Sequence, residues 1–307
     1  MLADETPPGP APDRPARAAD PSPSGPAPDR PARAFRLMGV VNVTPDSFSD
    51  GGRYLDPEAA VAHGLELAAE GADILDVGGE STRPGAEPVD AEQELARVLP
   101  VIEGLTAAGV GAQISIDTSK AAVAEAALAA GATLVNDVTA LRGDPRMAAV
   151  VADAGADCCL MHMLGEPRTM QRDPRYRDVL AEVRAFLEER LAFAVAAGIG
   201  EERILLDPGI GFGKTTRHNL ELLAGLGELA AIGPPVLIGT SRKTFLGRLT
   251  GRPVEQRLAG TIASCVIALE RGASVFRVHD VAPVADALTV AAATVAAWTT
   301  RPTSSTR

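Results

Sequence analysis

"RLMGVVN", at residues 36–42, is an apolar run that ends on a polar residue, and seven further runs of this kind follow it. They are "ADILDVG" (72–78), "AQISIDT" (112–118), "TLVNDV" (133–138), "DCCLMHM" (157–163), "RILLDPG" (203–209), "PVLIGTS" (235–241) and "VFRVHD" (275–280). Runs of this length and composition are typical of buried strands. Each is flanked by a longer stretch rich in Ala, Leu and Glu, which indicates parallel strands joined by crossover helices.

The helical stretches can be read from their apolar periodicity and their end signals. They cover 57–71, 90–108, 119–130, 144–154, 174–197, 217–231, 256–271 and 282–300. Six of them end at or just before a glycine, where a left-handed backbone is commonly needed. Eight strands alternating with eight helices predict an α/β protein with a single-domain (β/α)8 TIM barrel.

Composition excludes several classes of function. With 46% hydrophobic residues in 307, the chain can bury a sizeable core, and no apolar run is long enough to cross a bilayer. A net charge of -11 opposes non-specific binding to nucleic acid. The three cysteines make a poor disulfide framework and have no zinc-site spacing. We therefore expect a cytoplasmic protein with no membrane or nucleic-acid partner.

The two ends of the chain differ in composition from the rest. Residues 1–34 are rich in Pro, Ala, Asp and Arg, and predict a disordered extension. Within it "APDRPARA" occurs at 11–18 and again at 27–34, which indicates either low-complexity duplication or a docking motif. Residues 35–298 would form the barrel, and 299–307 a flexible tail.

Polar side chains stand at or near the C-terminal end of every predicted strand. They are Asn42, Asp76, Asp117, Asn136, Asp137, His162, Asp207, Ser241 and His279. In a barrel these ends form one face, where active sites are built. Taken singly, Asp76, Asp137 and Thr118 could instead cap helices or close turns. The whole set is better explained as the lining of one pocket.

The types of these residues suggest what the pocket binds. Buried acids and amides such as Asp117, Asn136 and Asp207 suit a flat heterocycle with several hydrogen-bonding groups. Arg277 and His279 lie two apart on one strand and therefore point the same way. With Asn42 on the neighbouring strand, they could hold a phosphate or another anion.

Two further stretches resemble binding motifs. "DPGIGFGKTTRHN" (207–219) resembles a P-loop, but the first glycine of that pattern would fall at Pro208, so Lys214 is predicted to be a loop residue outside the substrate contacts. In "GTSRKTFLG" (239–247), the charged groups of Arg242 and Lys243 could bind a carboxylate, and the apolar parts of their side chains could contact an aromatic ring. Arg242 alone could equally be a solvated charge at the rim.

Eight motifs in order resemble the dihydropteroate synthase family over residues 35–298. They are "MGVVNVTPDSFSDGG" (38–52), "DVGGESTRPGA" (76–86), "ISIDTSK" (114–120), "VNDV" (135–138), "LMHMLGEPRTMQ" (160–171), "LDPGIGFGKT" (206–215), "GTSRK" (239–243) and "FRVHDV" (276–281). The resemblance implies a transferase of folate biosynthesis. It would join p-aminobenzoate to 6-hydroxymethyl-7,8-dihydropterin diphosphate by a dissociative displacement, giving 7,8-dihydropteroate and diphosphate.

The resemblance also implies a role for each matched residue. The pterin would be bound by Asp117, Asn136, Met161, Asp207 and Lys243. The diphosphate would be held by Asn42, Thr82, Arg83, Arg277 and His279 with Mg²⁺, for which Asn42 is the ligand. The p-aminobenzoate site would comprise Phe48, Pro84, Phe212, Ser241 and Lys243. The catalytic residues would be Asp50, which faces the reacting carbon, with Lys243, Arg277 and His279.

Other properties of the family are implied in the same way. The loops after the first two strands would close over the substrates, sulfonamides would compete with p-aminobenzoate, and the last helices would form a homodimer. No protein nucleophile is needed, so Cys158, Cys159 and Cys265 are interpreted as packing residues.

Two other functions compete with this interpretation. A methyltransferase acting on methyltetrahydrofolate would share the pterin floor, but it would not need Arg277, His279 and the two loops. A non-catalytic paralogue that binds a pterin or a partner should have lost residues from the loops, "SRK" or "RVH", and none is lost.

Overall fold

The computed structural model describes residues 33–44, 56–81 and 85–299, with the backbone alone for 298 and 299. The predictions of a disordered extension and a flexible tail concern residues that lie almost entirely outside these ranges. The described chain begins at Arg33, whose guanidinium donates to the carbonyl oxygen of Gly71 at 3.3 Å.

Eight parallel strands form a closed barrel in chain order, which confirms the predicted fold. The strands are β1 (Arg36–Asn42), β2 (Ile74–Gly78), β3 (Gln113–Asp117), β4 (Leu134–Asp137), β5 (Asp157–Met161), β6 (Ile204–Asp207), β7 (Val236–Ile238) and β8 (Ala273–Val278). The last strand pairs with the first, with Met38 opposite Arg277, and this pairing closes the ring.

Ten helices accompany the strands within the described residues. They are α1 (Pro57–Glu70), α2 (Ala91–Ala107), α3 (Ala121–Ala129), α4 (Met147–Ala154), α5 (Val179–Ala196), α6 (Thr216–Ala224), α7 (Leu226–Ala230), α8 (Thr244–Thr250), α9 (Leu258–Glu270) and α10 (Val281–Thr299). Carboxylates of Asp56, Asp90 and Asp178 accept backbone N–H groups at the starts of α1, α2 and α5. Such N-caps satisfy donors that the first helical turn leaves unpaired.

Three helices differ from the sequence prediction, and the one predicted at 174–197 begins only at Val179, after its N-cap Asp178. The stretch predicted at 217–231 is divided at Gly225 into α6 and α7. A Cβ on Gly225 would lie 2.3 Å from the side chain of Leu180, so the small residue permits close packing against α5 where α6 ends. The short helix α8 was not predicted, because its seven residues are too few to show helical periodicity.

The core has two parts, separated by the wall of the barrel. The interior is filled by a cluster of buried apolar residues, namely Met38, Ile74, Leu134, Cys159, Leu205, Leu237 and Val275. A larger cluster packs the outer face of the strands against the helices and includes Cys158 and Cys265. Burial raises the pKa of the thiols of Cys158 and Cys265 to about 12 and about 11. Buried thiols of this kind are unreactive and serve to pack the core.

The interior cluster supports a second layer of side chains directly above it. Two positions after an interior residue come Asp76 on β2, Asn136 on β4, Met161 on β5, Asp207 on β6 and Arg277 on β8. Because strand side chains alternate with a period of two, these residues point into the barrel as well. The apolar cluster is therefore the foundation of a polar layer near the C-terminal face.

The pairing of β7 with β6 is the least extensive strand pairing in the barrel. β7 has three residues, and its register with β6 is a single pair, Leu206 opposite Val236. Pro234 and Pro235 precede it and offer no N–H to extend the ladder, although the Pro235 carbonyl accepts from Leu206 N at 3.0 Å. A shift in the β7–β8 register between Val236 and Leu237 adds to this irregularity.

None of the helices in the described part of the chain is both long and apolar enough to cross a membrane.

Candidate active site

A pocket opens at the C-terminal face of the barrel and collects most of the predicted site residues. It is lined by Asp117, Asn136, Val138, Met161, Asp207, Ile210, Phe212, Gly239, Ser241, Lys243, Arg277 and His279. Nine of these were predicted to touch substrate, and they come from β3, β4, β5, β6, β8 and the loops after β6, β7 and β8. Of the nine residues at strand ends that were predicted to line one pocket, five do so and four, namely Asn42, Asp76, Asp137 and His162, do not.

The other six predicted residues comprise five that the structure does not describe and Asn42, which does not line the pocket. Phe48, Asp50, Thr82, Arg83 and Pro84 lie outside the residues that the structure describes. Asn42 is described and lies half-buried at the end of β1, opposite Gly78 of β2.

Asp76 organises the floor of the pocket. Its side chain is fully buried. Its Oδ2 accepts hydrogen bonds from Arg277 Nε at 2.6 Å and from Asn136 Nδ2 at 3.0 Å, and its Oδ1 accepts from Ser115 Oγ at 2.6 Å. One carboxylate thus fixes the orientation of an arginine and an amide that both face the pocket.

The three candidate cap residues have different roles in the structure. Asp137 closes the turn after β4 by accepting from the backbone N–H groups of Thr139 and Leu141. Thr118 Oγ1 accepts from Lys120 N in the turn after β3. Asp76 binds side chains only, and this difference in partners was not visible in the sequence.

Arg277 is held between two carboxylates. Its Nη2 donates to Asp117 Oδ2 at 2.9 Å, in addition to the bond from Nε to Asp76. Burial disfavours the charged guanidinium, but Asp76 and Asp117 outweigh burial and hold the pKa of Arg277 above its ordinary value. Burial and the charge of Asp76 raise the pKa of Asp117 to about 7, while Arg277 acts in the opposite direction.

Replacing Asp117 with Asn should change how stability depends on pH. Because the folded-state pKa of Asp117 lies above its ordinary value of 3.8, the native state binds the proton more tightly, and this contribution to stability falls as pH rises from 3.8 to about 7. We expect the stability of the variant to lack the pH dependence that Asp117 contributes. Urea unfolding measured across this pH range checks the prediction, with the exposed Asp153→Asn in α4 as the control. An Asp117→Asn profile identical to the parent profile would contradict it.

Asp207 lies at the end of β6, where the chain turns into a glycine-rich loop. Its Oδ1 accepts from Gly209 N at 2.7 Å. Burial raises the pKa of the Asp207 carboxyl, although the bond from Gly209 and the nearby Lys243 lower it. Gly209 has φ +65°, and a Cβ there would lie 1.9 Å from the carbonyl oxygen of His162. Only glycine allows the loop to approach β5 this closely.

Lys243 and Phe212 meet at one side of the pocket. The ammonium nitrogen of Lys243 lies 4.0 Å from the centroid of the Phe212 ring, within the range of a cation–π contact. Burial lowers the pKa of Lys243 to about 8, with Asp207 raising it and Arg277 lowering it. Two of the five residues predicted to bind p-aminobenzoate are thus in contact.

Arg242, the residue before Lys243, points to a different partner. Its guanidinium donates to Asp280 with Nε at 3.0 Å and Nη2 at 2.5 Å. Arg242 has φ +55°, a left-handed conformation that is costly for a residue with a side chain. Arg242 and Lys243 are adjacent in sequence but contact different partners, Asp280 and Phe212. The sequence suggested that Arg242 binds a carboxylate or is a solvated charge, and neither interpretation predicted its bidentate ion pair with Asp280.

Ser241 links two parts of the pocket that were predicted separately. Its Oγ lies 3.0 Å from Nδ1 of His279 and accepts from the backbone N of His279 at 3.2 Å. A residue predicted for p-aminobenzoate is therefore bonded to one predicted for diphosphate.

Lys214 lies in the loop after β6 and is not among the residues that line the pocket, as predicted, but its burial was not predicted. Its side chain is 2% exposed, and its Nζ lies 2.8 Å from Nδ1 of His162. A lysine in a polar, glycine-rich loop predicts exposure, so periodicity and composition gave no signal of this burial.

Comparisons with known proteins agree with the geometry. The family described as pterin binding enzyme matches residues 38–279. The dihydropteroate synthase of Mycobacterium leprae (strain TN) is 51% identical over 271 residues, which cover 86% of this chain and 93% of that relative.

Solved structures give the same result. The Yersinia pestis dihydropteroate synthase with a sulfonamide drug complex has a TM-score of 0.82 at 44% identity, with 85% of this chain and 94% of that chain covered. Dihydropteroate synthase from Xanthomonas albilineans in complex with 7,8-dihydropteroate has a TM-score of 0.76 at 51% identity, with 87% and 95% covered. The resemblance inferred from the eight motifs is confirmed: this chain belongs to the pterin-binding enzymes and, within them, to the dihydropteroate synthases, which are transferases.

Proposed function

We infer that the protein condenses 6-hydroxymethyl-7,8-dihydropterin diphosphate with p-aminobenzoate, giving 7,8-dihydropteroate and diphosphate in folate biosynthesis. The observation that carries this inference is the single pocket in which Asp117, Asn136 and Asp207 lie beside Lys243 and Arg277. The relative from Xanthomonas albilineans that binds 7,8-dihydropteroate supports the same reaction.

The floor of the pocket is proposed to bind the pterin. Asp117, Asn136 and Asp207 present carboxylate and amide groups to the ring, and Met161 supplies an apolar contact. A pterin has several ring and exocyclic N–H donors and acceptors. Each group that is paired in the pocket avoids a desolvation cost of about 1–3 kcal/mol.

The diphosphate is proposed to lie against Arg277 and His279, with Asn42, Thr82 and Arg83 completing its site. The bonds to Asp76 and Asp117 involve two of the five guanidinium N–H donors of Arg277. The remaining donors are in a fixed orientation, because the two carboxylates hold the guanidinium plane. A preorganised cation of this kind stabilises charge that develops on a leaving group.

The p-aminobenzoate is proposed to bind beside the pterin, between Phe212, Ser241 and Lys243, with Phe48 and Pro84 contributed by the two loops. Phe212 offers an aromatic face, and the Lys243 ammonium and Ser241 hydroxyl offer donors for a carboxylate. By the same chemistry, sulfonamides would compete for this site.

The reaction is proposed to proceed by dissociation. The bond from the pterin methylene carbon to diphosphate breaks first, and Arg277 and His279 stabilise the departing anion. Conjugation with the pterin ring delocalises the resulting cation, to which Asp50 is proposed to lie close. The aniline nitrogen of p-aminobenzoate then attacks the methylene carbon and loses a proton, so no covalent enzyme intermediate is required.

Mg²⁺ is proposed as the cofactor, with Asn42 as its protein ligand. Among the described residues, no three His, Cys, Asp or Glu side chains cluster in a way that could hold a metal ion. A single amide oxygen at a strand end fits Mg²⁺, which commonly keeps several waters and shares the phosphates of its substrate. When bound, the ion would spread the negative charge of the diphosphate.

The direct test is to supply purified protein with dihydropterin diphosphate, p-aminobenzoate and Mg²⁺, and to follow diphosphate and dihydropteroate together. Product that appears only when all three are present would support the proposal, including the metal. Pterin binding without product would favour the non-catalytic paralogue. Methyl transfer from methyltetrahydrofolate would favour the other rival.

A cytoplasmic homodimer is proposed from the family resemblance and from the last two helices. Ile267 on α9 and Val290 on α10 are exposed, the latter by 68%. If these side chains belong to one contiguous apolar patch, that patch would be typical of an interface. Light scattering should give twice the chain mass of 31.6 kDa, whereas a single chain mass at micromolar concentration would contradict the dimer.

A further inference from the structure

The side chain of Lys214 joins two segments of the barrel rim. One segment is the end of β5 and its continuation, 161–164. The other is the loop 208–214, which follows β6. The ammonium nitrogen of Lys214 donates to Nδ1 of His162 at 2.8 Å and to the carbonyl oxygen of Phe212 at 3.0 Å, with a longer contact of 3.4 Å to the carbonyl oxygen of His162. All three donor positions of an ammonium are therefore directed at acceptors.

The two segments pack backbone against backbone. A Cβ on Gly209 would lie 1.9 Å from the carbonyl oxygen of His162, and one on Gly213 would lie 2.4 Å from that of Leu164. Both glycines have left-handed φ values, +65° and +62°. Lys214 thus bridges two backbones that glycine has already allowed to approach.

The state of His162 suits this bridge. The imidazole is buried and makes an edge-to-face contact with Phe186 at 4.9 Å. Burial and the nearby Lys214 lower the pKa of His162 to about 3, so the ring is neutral and Nδ1 can accept. Burial also lowers the pKa of Lys214 to about 7, with Asp207 acting in the opposite direction. Either protonation state of the amine retains a donor for Nδ1.

The bridge is connected to the pocket through Phe212. The carbonyl group of Phe212 is bound by Lys214, and the ring of Phe212 packs on the ammonium of Lys243. Gly211, the residue before Phe212, donates its N–H to Asn219 Oδ1 at 2.8 Å. The loop is therefore held on both sides of the residue that faces the p-aminobenzoate site.

We propose that Lys214 is a positioning residue, which fixes Phe212 through its backbone and thereby sets the p-aminobenzoate site without touching substrate. The proposal rests on the proposed function, because it assigns p-aminobenzoate to Phe212. The residues of the pterin floor lie at the ends of strands, so their positions do not depend on the contacts of Lys214. The expected effect is consequently confined to one substrate.

Lys214→Met keeps the apolar stem and removes the donors. We expect the KM for p-aminobenzoate to rise about tenfold, while the KM for dihydropterin diphosphate stays within about twofold. The control is Arg217→Met, three residues later on the exposed face of α6, where the arginine pairs only with Glu221 at the surface. Equal changes in both KM values, or none, would overturn the proposal.

A second pair of variants separates positioning from packing. His162→Asn keeps a polar acceptor near the position of Nδ1, whereas His162→Leu does not, and both lose the ring contact with Phe186. If Lys214 acts through this acceptor, the KM for p-aminobenzoate should rise in His162→Leu and stay near the parent value in His162→Asn. Equal rises in both would overturn the proposal, and this pair also serves if Lys214→Met does not fold.

A readout without substrate keeps this proposal distinct from the proposed function. Amide hydrogen exchange of residues 209–213 should be faster in Lys214→Met than in the parent, with the pattern elsewhere unchanged. Faster exchange in a protein that makes no dihydropteroate would retain the bridge and reject the reaction. Unchanged exchange at 209–213 would reject the bridge itself.

Discussion

Asp207→Ala should bind the pterin substrate about a thousandfold more weakly than the parent, because it removes a charged acceptor from a buried floor. Asp207 is buried at the end of β6 and lines the pocket with Asn136 and Lys243. A pterin N–H that meets a methyl group in place of a carboxylate would lose both its hydrogen bond and its hydration. Calorimetric titration with the pterin substrate in the absence of p-aminobenzoate measures this loss.

Two further variants show whether the effect arises at the floor. Asp207→Asn can still accept from Gly209 N, but it presents an amide donor to the pterin, so it should also bind weakly while keeping the loop in place. Asp157→Ala removes a carboxylate from the opposite end of the barrel, where it accepts from Gln113 and pairs with Arg203, and should bind pterin normally. Normal binding by Asp207→Ala would refute the assigned floor.

Asp76→Asn should lower the free energy of unfolding by about 3 kcal/mol, because it leaves a half-buried arginine with one of its two counter-charges. The amide is close in shape to the carboxylate. Its oxygen can still accept from Arg277 and Asn136, and its NH₂ can donate to the Ser115 hydroxyl. The variant therefore isolates the charge of Asp76 from its hydrogen bonds. Denaturant unfolding at neutral pH measures the change.

Ser115→Ala is the matched control for Asp76, since it removes one neutral donor from the same carboxylate. It should cost about 1 kcal/mol. A loss for Asp76→Asn no larger than that for Ser115→Ala would contradict the view that the charge pair stabilises the floor. We also expect a higher KM for the pterin substrate in Asp76→Asn, because the guanidinium of Arg277 is held in one plane by both carboxylates.

The architecture and the position of the pocket could be predicted from sequence because both follow from local patterns. Apolar runs of fixed length marked the strands, and polar residues at their ends marked one face. The starts of several helices could be predicted as well, since Asp56 and Asp90 are the N-caps of α1 and α2. These signals act within a few residues and do not depend on partners elsewhere.

The pairings inside the pocket could not be predicted in the same way. Asp76 and Arg277 are 201 residues apart, and they meet only because β8 closes on β1 beside β2. Barrel closure places several candidate acids within reach of Arg277, and side-chain conformation selects among them. The burial of Lys214 was not predicted for a similar reason, since it depends on two glycines that let β5 and the β6 loop approach.

The short strand β7 has a consequence for how the product leaves. Dihydropteroate carries the pterin and p-aminobenzoate groups in one molecule, and it would span from Asp207, at the end of β6, to Lys243, after β7. The barrel wall between these two residues is the pairing of β6 with β7. That pairing has one register pair, and the two prolines before β7 have no N–H to extend it. If β6 and β7 separated transiently, Phe212 would move away from Lys243 while the other seven strand pairs stayed hydrogen-bonded. We expect product release to depend on motion here, so that turnover would be limited by the weakest part of the wall.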